Sequence, residues 1–219
     1  MKPSCRIIIA LCALCLPLLF CGPANAQHAG LYVGGLFGGN LLMNSKASDD
    51  LGSFNLKFKP GWQGSGVAGW DFEPDNPIGE GRVELEYTRR SNRLDQVKFS
   101  EGSVGGSGDL TVDSLLVNCF GLIFGDRLWS PYVGLGLGAA RFDASDMQVT
   151  GQPLAKGSTY VFAYQLATGL DIQMTTHLSL DIGYRFFSSV RPKFSEGNGN
   201  SFAMNYFSHN VVLGLRWGF

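Results

Sequence analysis

Acidic and basic residues recur at every second position in several stretches of this sequence, and that spacing decides which of them could work together. Glu84 and Glu86 are separated by one residue, so in an extended strand both carboxylates point to the same side. A pair of this kind could carry out acid–base chemistry. Basic residues are expected on the same side of neighbouring strands, which favours neutralisation of the carboxylates in ion pairs. The charged residues expected on this shared side are Asp71, Arg82, Glu84, Glu86, Asp171, Asp181, Arg185 and Arg216.

The pairing of these charges has two interpretations. We expect Arg216 to pair with Asp181, and Arg185 to reach Glu84 or Glu86 across the interior. A fully paired set would act as a neutral polar plug, which is the favoured interpretation because an unpaired charge inside a protein is costly. The same set could instead form a gate for ions or small solutes.

A hydrolase with a serine nucleophile needs a base within hydrogen-bonding reach. Ser208 directly precedes His209, so in a strand their side chains point to opposite sides. The segment 102–108 is rich in Gly and Ser but lacks the lysine of a phosphate-binding loop, and its composition predicts a flexible loop. These observations predict a protein that is not an enzyme and binds no cofactor.

The overall composition excludes several classes of protein. The chain has 219 residues, of which 45% are apolar and 16% are charged, and its formal net charge is −1. High apolar content with little net charge argues against disorder, and the lack of a basic excess argues against nucleic-acid binding. Glycine occurs 30 times without a three-residue period, which excludes collagen and is typical of an all-β protein with many turns.

Residues 1–26 are predicted to be a secretory signal peptide. Two basic residues precede an uncharged stretch, residues 7–21, and Ala24-Asn25-Ala26 forms a cleavage site. A lipoprotein signal centred on Cys21 is the less favoured alternative. Cleavage after Ala26 leaves a single predicted domain, residues 27–219, with Cys119 as its only cysteine. A lone cysteine cannot form an internal disulfide or a cysteine-based metal site.

Eight stretches of the remaining chain alternate between apolar and small or polar residues with a period of two, which is typical of β-strands. Most are longer than an ordinary strand of about 5–6 residues and long enough for a membrane strand, which needs about 9–11. The fourth stretch is apolar on both sides, so the side that Cys119 faces is left open. The stretches are residues 30–42, 61–72, 80–93, 109–124, 131–143, 160–174, 177–190 and 206–219.

The alternation alone does not decide whether the apolar side lines the interior of a soluble barrel or faces the lipid of a membrane. The lengths of the connections favour lipid: they are long after the odd-numbered stretches and short after the even-numbered ones, as in outer-membrane barrels. Glycine and charged residues share the other side, which suits a narrow lumen better than an apolar core.

Four segments carry a resemblance to a known family: residues 30–35 (GLYVGG), 131–138 (PYVGLGLG), 181–185 (DIGYR) and 214–219 (GLRWGF). The chain from residue 27 onward resembles the small eight-stranded outer-membrane barrels of the opacity and OmpA/OmpX types. The resemblance implies an all-β, eight-stranded antiparallel up-and-down transmembrane β-barrel in the bacterial outer membrane, with both termini periplasmic. It specifies no activity, because this fold hosts unrelated functions.

The chain ends in a pattern that resembles the C-terminal signal of such barrels, which the barrel-assembly machinery reads. The residues of this pattern are Leu213, Leu215, Trp217 and Phe219. A lipid A deacylase of this barrel type would need its serine and histidine two residues apart on one side, and the adjacent Ser208 and His209 depart from that arrangement.

Functional predictions rest on the outer rim and on the long connections. Arg89 and Arg141 are expected at the rim, where they either contact lipopolysaccharide phosphates or are simply solvated. Charges of both signs occur in the long connections, so no polyanionic or polycationic partner is implied. The leading prediction is a surface or structural role with binding of an unknown extracellular ligand through four loops. The alternatives are a narrow porin-like pore and, less favoured, a lipid A-modifying enzyme.

Overall fold

Strands account for most of the chain in the computed structural model, which describes residues 30–49, 52–72, 80–99, 102–123, 128–144, 147–149, 151–153, 157–195 and 201–219. The predicted signal peptide lies outside these residues. Eight long strands carry the alternation seen in the sequence: β1 (Gly30–Leu42), β4 (Gly61–Asp71), β5 (Gly81–Phe99), β7 (Asp109–Leu122), β8 (Trp129–Asp143), β11 (Ser158–Gln173), β12 (Leu178–Ser189) and β15 (Phe207–Gly218). Seven shorter strands lie in the connections: β2 (Ser45–Asp49), β3 (Gly52–Phe58), β6 (Gly102–Ser107), β9 (Gln148–Val149), β10 (Gln152–Pro153), β13 (Lys193–Ser195) and β14 (Ser201–Met204).

The eight long strands form a closed antiparallel ring. Each pairs with the next long strand along the chain, and β1 pairs with β15 through residues such as Gly35 and Leu215. Closure removes the unpaired strand edges of an open sheet. The predicted eight-stranded up-and-down barrel is therefore confirmed. The main difference lies in β5, which continues past the expected end at residue 93 to Phe99.

Burial alternates along the barrel strands and shows which side faces outward. On β15, Leu213 and Leu215 are exposed on the outer surface, whereas Val212 and Arg216 are buried in the lumen. Exposed large apolar side chains occur on all eight strands, as on the lipid-facing band of a membrane barrel. Cys119 lies on this outer surface. None of the described residues forms a helix of the length and apolarity that crossing a membrane requires.

Two tyrosines in the lumen pack against glycines. A Cβ at Gly69 would lie 2.5 Å from the hydroxyl oxygen of Tyr32 and 2.6 Å from the carbonyl oxygen of Val83. Tyr132 lies equally close to Gly169, where a Cβ would meet its hydroxyl oxygen at 2.5 Å. Glycine is required at these positions because any side chain would displace the ring or the neighbouring strand.

Gly69→Ala is expected to destabilise the barrel by about 1–3 kcal/mol, because the added methyl group overpacks the contact with Tyr32. Gly66→Ala is the matched control on the same strand, since a Cβ there meets nothing within 4 Å. Urea unfolding followed by tryptophan fluorescence would measure both variants. Equal free energies of unfolding for the two variants would contradict the packing described here.

The long connections fold into sheets that extend the barrel beyond the membrane. Strands β13, β14, β2 and β3 pair in that order and join the distal part of β5; we call this the outer sheet. These connections lie on the extracellular side, because bacterial barrels have short periplasmic turns and longer extracellular loops. The predicted flexible loop at residues 102–108 is wrong. Its first six residues form β6, which pairs with Gln96–Phe99 of β5, and composition alone could not reveal that partner.

The inner face of the outer sheet packs with the outer end of the lumen in one apolar core. Phe142 and Phe187 both contact the ring of Tyr206, with ring centroids 4.9 and 5.8 Å apart. Other buried members of this core are Leu42, Ala47, Phe54, Leu56, Phe58, Leu94, Val97, Leu110, Val112, Leu116, Met147, Phe194, Phe202 and Met204. The lumen is therefore apolar at its extracellular end.

Candidate functional site

Charged side chains fill the lumen nearest the periplasm. Arg82 donates hydrogen bonds to Oδ2 of Asp171 at 2.9 Å and to Oδ2 of Asp181 at 3.1 Å. Arg216 contacts the same Asp171, and its Nη1 lies 3.5 Å from Oδ2 of Asp71. Both guanidinium groups are buried, so the two cations and three carboxylates form one connected network.

The predicted pair between Arg216 and Asp181 is wrong. In the register of β12 and β15, Asp181 lies opposite Gly214, and Arg216 lies opposite Ser179, two residues nearer the periplasm. Asp181 instead pairs with Arg82, whose strand, β5, lies on the opposite side of the lumen. The prediction paired residues on neighbouring strands, but the lumen is narrow enough for a long side chain to reach a strand on the other side.

Arg185 and Glu86 meet in the middle of the lumen. Nη1 of Arg185 lies 3.2 Å from Oε2 of Glu86, and both side chains are fully buried. This contact is one of the two predicted for Arg185. Glu86 also accepts hydrogen bonds from the Thr88 hydroxyl at 2.6 Å and from Nδ2 of Asn118 at 2.8 Å. Both carboxylate oxygens of Glu86 therefore accept a hydrogen bond.

Glu84 lies on the same side of β5 as Glu86, as the spacing predicts. Its Oε2 accepts a hydrogen bond from the Tyr32 hydroxyl at 2.9 Å. Both carboxylates are buried and held by neighbouring side chains, so a substrate has no access to them. The geometry favours ion pairing over acid–base chemistry.

Arg90 is a fully buried lumen residue that the expected set of charges omits. Its Nη1 donates to the Ser114 hydroxyl at 2.8 Å and its Nη2 to Oε1 of Gln165 at 3.2 Å. Its guanidinium carbon lies 4.0 Å from the centroid of the Phe187 ring. The alternation could have identified it, because the even-numbered positions from Arg82 to Leu94 are all buried.

Several buried polar atoms in the lumen lack a hydrogen-bond partner among the described protein atoms. Nε and Nη2 of Arg185, Nε of Arg90 and both amide atoms of Gln63 are in this position. Nη1 of Arg185 also lacks a well-aligned hydrogen bond, but it takes part in the ion pair with Glu86. Buried polar groups are normally satisfied by protein or by ordered water. A cavity of about 20 Å³ lined in part by Asp171 and Arg216 lies at the periplasmic end, so there is space there for a water molecule beside the charged network.

The two rim arginines face outward and each binds a carboxylate. Nε and Nη2 of Arg89 donate to the two oxygens of Asp113 at 2.8 and 3.0 Å, and the Tyr87 hydroxyl also donates to Asp113 at 2.8 Å. Nη2 of Arg141 donates to Oδ2 of Asp143 at 3.2 Å. Part of the positive charge expected at the rim is therefore neutralised locally, and contact with lipopolysaccharide stays a prediction.

Ser208 and His209 lie on opposite sides of β15. Ser208 is buried in the lumen, where its hydroxyl oxygen accepts a hydrogen bond from Nδ2 of Asn210 at 3.3 Å. His209 lies on the outer surface, with Nδ1 at 2.6 Å from the Tyr184 hydroxyl. The two side chains cannot act together as nucleophile and base.

The C-terminal pattern occupies the last barrel strand. Leu213, Leu215 and Trp217 are exposed on its outer surface. The backbone nitrogen of Phe219 donates to the carbonyl oxygen of Leu31 at 3.1 Å, which attaches the chain end to β1. Recognition of these residues by the assembly machinery stays a prediction.

Comparisons with known proteins agree with this architecture. A family model described as "Outer membrane protein beta-barrel domain" matches residues 11–219. The structure is similar to Neisserial surface protein A, with a TM-score of 0.54 and 20% identity over 89% of this chain and 100% of that one. It is also similar to the outer membrane protein OprG from Pseudomonas aeruginosa, with a TM-score of 0.60 and 13% identity over 89% of this chain and 99% of that one. At these identities the likeness shows the fold alone. A comparison with curated protein sequences finds no significant match.

Proposed function

The chain belongs to the outer-membrane β-barrel domain family and is an outer-membrane protein, and we propose that it acts at the cell surface by binding through its extracellular strands. One observation carries this proposal. The extracellular connections fold over a shared apolar core, so they present a fixed surface of the kind that binding sites use.

The filled lumen supports a surface role. An eight-stranded barrel has an interior only wide enough for side chains, and here charged side chains occupy its periplasmic part and its middle. The apolar core, which includes Leu110 and Phe142, occupies its extracellular end. The surface outside the membrane is therefore the part of the molecule best placed to meet a partner.

We infer that the protein is not an enzyme. The residues with catalytic potential are either enclosed, as are Glu84 and Glu86, or separated by the strand, as are Ser208 and His209. A lipid A-modifying activity would need a nucleophile and a base on one side of the barrel, which this pair does not provide.

Removal of part of the outer sheet tests the proposed surface role. Replacing residues 45–58 with a short turn deletes β2 and β3 and leaves the eight barrel strands in place. Cells producing the wild type are expected to adhere to an epithelial monolayer or to a glycan array, and cells producing the variant are expected to lose that adherence. Heat-dependent gel mobility in SDS would show that both barrels are folded. Equal adherence of the two, or wild-type adherence no higher than that of cells lacking the protein, would contradict the proposal.

A narrow pore is the second candidate function. The buried polar atoms of Arg185, Arg90 and Gln63 that lack a hydrogen bond among the described residues favour it, because they suit a hydrated lumen. The apolar core at the extracellular end opposes it, since a continuous water path would have to cross that core.

Two further partners are proposed from the sequence. Arg89 and Arg141 lie at the outer rim, and each retains donors beyond those used by Asp113 and Asp143, so they can contact lipopolysaccharide phosphates. The C-terminal pattern that ends with Phe219 is exposed, so it is available for recognition by the barrel-assembly machinery.

A further inference from the structure

Glu84 and Glu86 lie two residues apart on β5 and face the same lumen, but the fold surrounds their carboxyl groups differently. Glu86 forms an ion pair with Arg185 and accepts three further hydrogen bonds from neutral side chains. Glu84 accepts one well-formed hydrogen bond, from the Tyr32 hydroxyl to its Oε2 at 2.9 Å. Its Oε1 lies 3.5 Å from Nδ2 of Asn118, which is beyond the usual length of such a bond. The fold therefore stabilises a negative charge on Glu86 much better than on Glu84.

Ion pairing separates Glu84 from the other lumen carboxylates as well. The three aspartates of the lumen bind Arg82 and Arg216, and Glu86 binds Arg185. Within the part of the chain that the structure describes, no cation lies within 4.0 Å of either carboxyl oxygen of Glu84. Glu84 is thus a buried carboxyl group whose neighbouring cations are committed to other anions.

Charged and titratable side chains from the neighbouring strands line the lumen around Glu84. They are Arg82, Glu86 and Arg90 on its own strand, Tyr32 on β1, Asp71 on β4, Tyr132 on β8, Asp171 on β11, Asp181 and Arg185 on β12, and Arg216 on β15. Among the described residues, four guanidinium groups therefore share the lumen with five carboxyl groups. If all of them were ionised, the lumen would hold one excess negative charge. A single bound proton balances the set.

Burial identifies Glu84 as the group that holds this proton. Its side chain is 1% exposed, and removal from water disfavours the ionised form of a carboxyl group. The neutral acid still accepts the hydrogen bond from Tyr32 on Oε2, and its Oε1, which has no well-formed hydrogen bond, is free to carry the proton.

We propose that Glu84 is a proton-binding site of the barrel, where the carboxyl group keeps its proton in the folded protein at neutral pH while Glu86 is ionised. Unfolding releases this proton, because a solvated glutamate is ionised above about pH 4.3. The folded state thus binds one proton more than the unfolded state, so stability falls as the pH rises. This inference does not depend on the surface role proposed above.

The pH dependence of unfolding tests the proposal on the full-length protein. Wild type and Glu84→Gln are unfolded with urea in lipid vesicles between about pH 5.5 and 7.5, a range in which a solvated glutamate is ionised. Relative to the variant, the unfolding equilibrium constant of the wild type is expected to rise about tenfold for each pH unit, which is the effect of releasing one proton. The histidines are present in both proteins, so their contribution cancels.

Asp113→Asn is the matched control. It also replaces a carboxyl group with an amide, but Asp113 lies on the outer surface in an ion pair with Arg89 and is ionised in both states at these pH values. Its unfolding is expected to keep the pH dependence of the wild type. Heat-dependent gel mobility in SDS verifies that each protein is folded.

Infrared spectroscopy of the folded proteins gives a second readout, which a purely structural role of Glu84 would not change. At neutral pH the wild type is expected to show the carbonyl stretching band of a protonated carboxylic acid, and Glu84→Gln is expected to lack it. Three results would overturn the proposal: the same pH dependence of unfolding in wild type and Glu84→Gln, no such band in the wild type, or failure of Glu84→Gln to fold. The last would count because a neutral amide of the same shape should replace a neutral acid.

Discussion

Arg82→Met is expected to destabilise the folded barrel by about 3–5 kcal/mol, because it removes one member of a buried ion-pair network. Arg82 is completely buried and binds both Asp171 and Asp181. Asp171 keeps its contact with Arg216, but Asp181 loses the one cation within ion-pair distance among the described residues. Its remaining partner there is the Tyr132 hydroxyl at 2.8 Å, which cannot neutralise a buried carboxylate. Urea unfolding in lipid vesicles, followed by tryptophan fluorescence, would measure the loss.

Arg89→Met is the matched control for this prediction. Arg89 lies on the same strand and also binds an aspartate, Asp113, but its side chain is about half exposed on the outer surface. Water and salt screen such a pair, so the control is expected to lose far less stability. A loss for Arg82→Met no larger than that for Arg89→Met would show that the lumen network is not a stabilising element of the barrel.

Leu135→Arg is expected to cost about 2–4 kcal/mol of stability in a lipid bilayer, the penalty for a cation near the midplane on the lipid face of a barrel. Leu135 lies in the middle of β8, is exposed on the outer surface, and neighbours Cys119 and Leu166 in the register. Unfolding in vesicles would measure this change as well.

Leu41→Arg is the control for the lipid-facing variant. Leu41 is also exposed on the outer surface, but it lies next to the extracellular end of β1. An arginine at that level is expected to cost only about 0–1 kcal/mol, because it reaches the interface. If vesicles tolerated Leu135→Arg as well as Leu41→Arg, the apolar side would not face lipid and the soluble-barrel alternative would return.

The barrel itself could be predicted from the sequence because each of its strands separates two environments. A residue such as Leu213 faces lipid while its neighbour Gly214 faces the lumen, so the period-two pattern persists over the whole strand. The same parity placed Glu84, Glu86 and Arg185 inside. The lengths of the connections then indicated which end of the barrel faces the cell exterior.

The pairing of charges inside the barrel could not be predicted in the same way. It depends on the stagger of the strands around the barrel and on how far a long side chain reaches across the lumen. Arg82 and Asp181 meet although they are 99 residues apart and their strands are not neighbours. Only the three-dimensional arrangement shows that Arg216 lies two residues nearer the periplasm than its expected partner.

The outer sheet was missed because its strands are short and their partners are remote. The pairing of β14 with β2 joins Met204 to Ala47, a contact that no local pattern signals. Lys46 and Lys98 lie on the same side of one sheet because both lie opposite Asn55, which the sequence of either connection alone does not reveal. Composition of a loop therefore said little about the surface that the loop forms.

Electrical recording in planar lipid bilayers tests the central claim most directly, namely that the barrel is closed and works through its extracellular surface. Buried ion pairs fill the lumen near the periplasm, and an apolar core occupies its extracellular end. We therefore predict that purified, folded protein, verified by its heat-dependent gel mobility, produces no current steps above those of a bare bilayer. Regular single-channel steps that vanish when the protein is boiled before reconstitution would contradict the account and identify the protein as a pore.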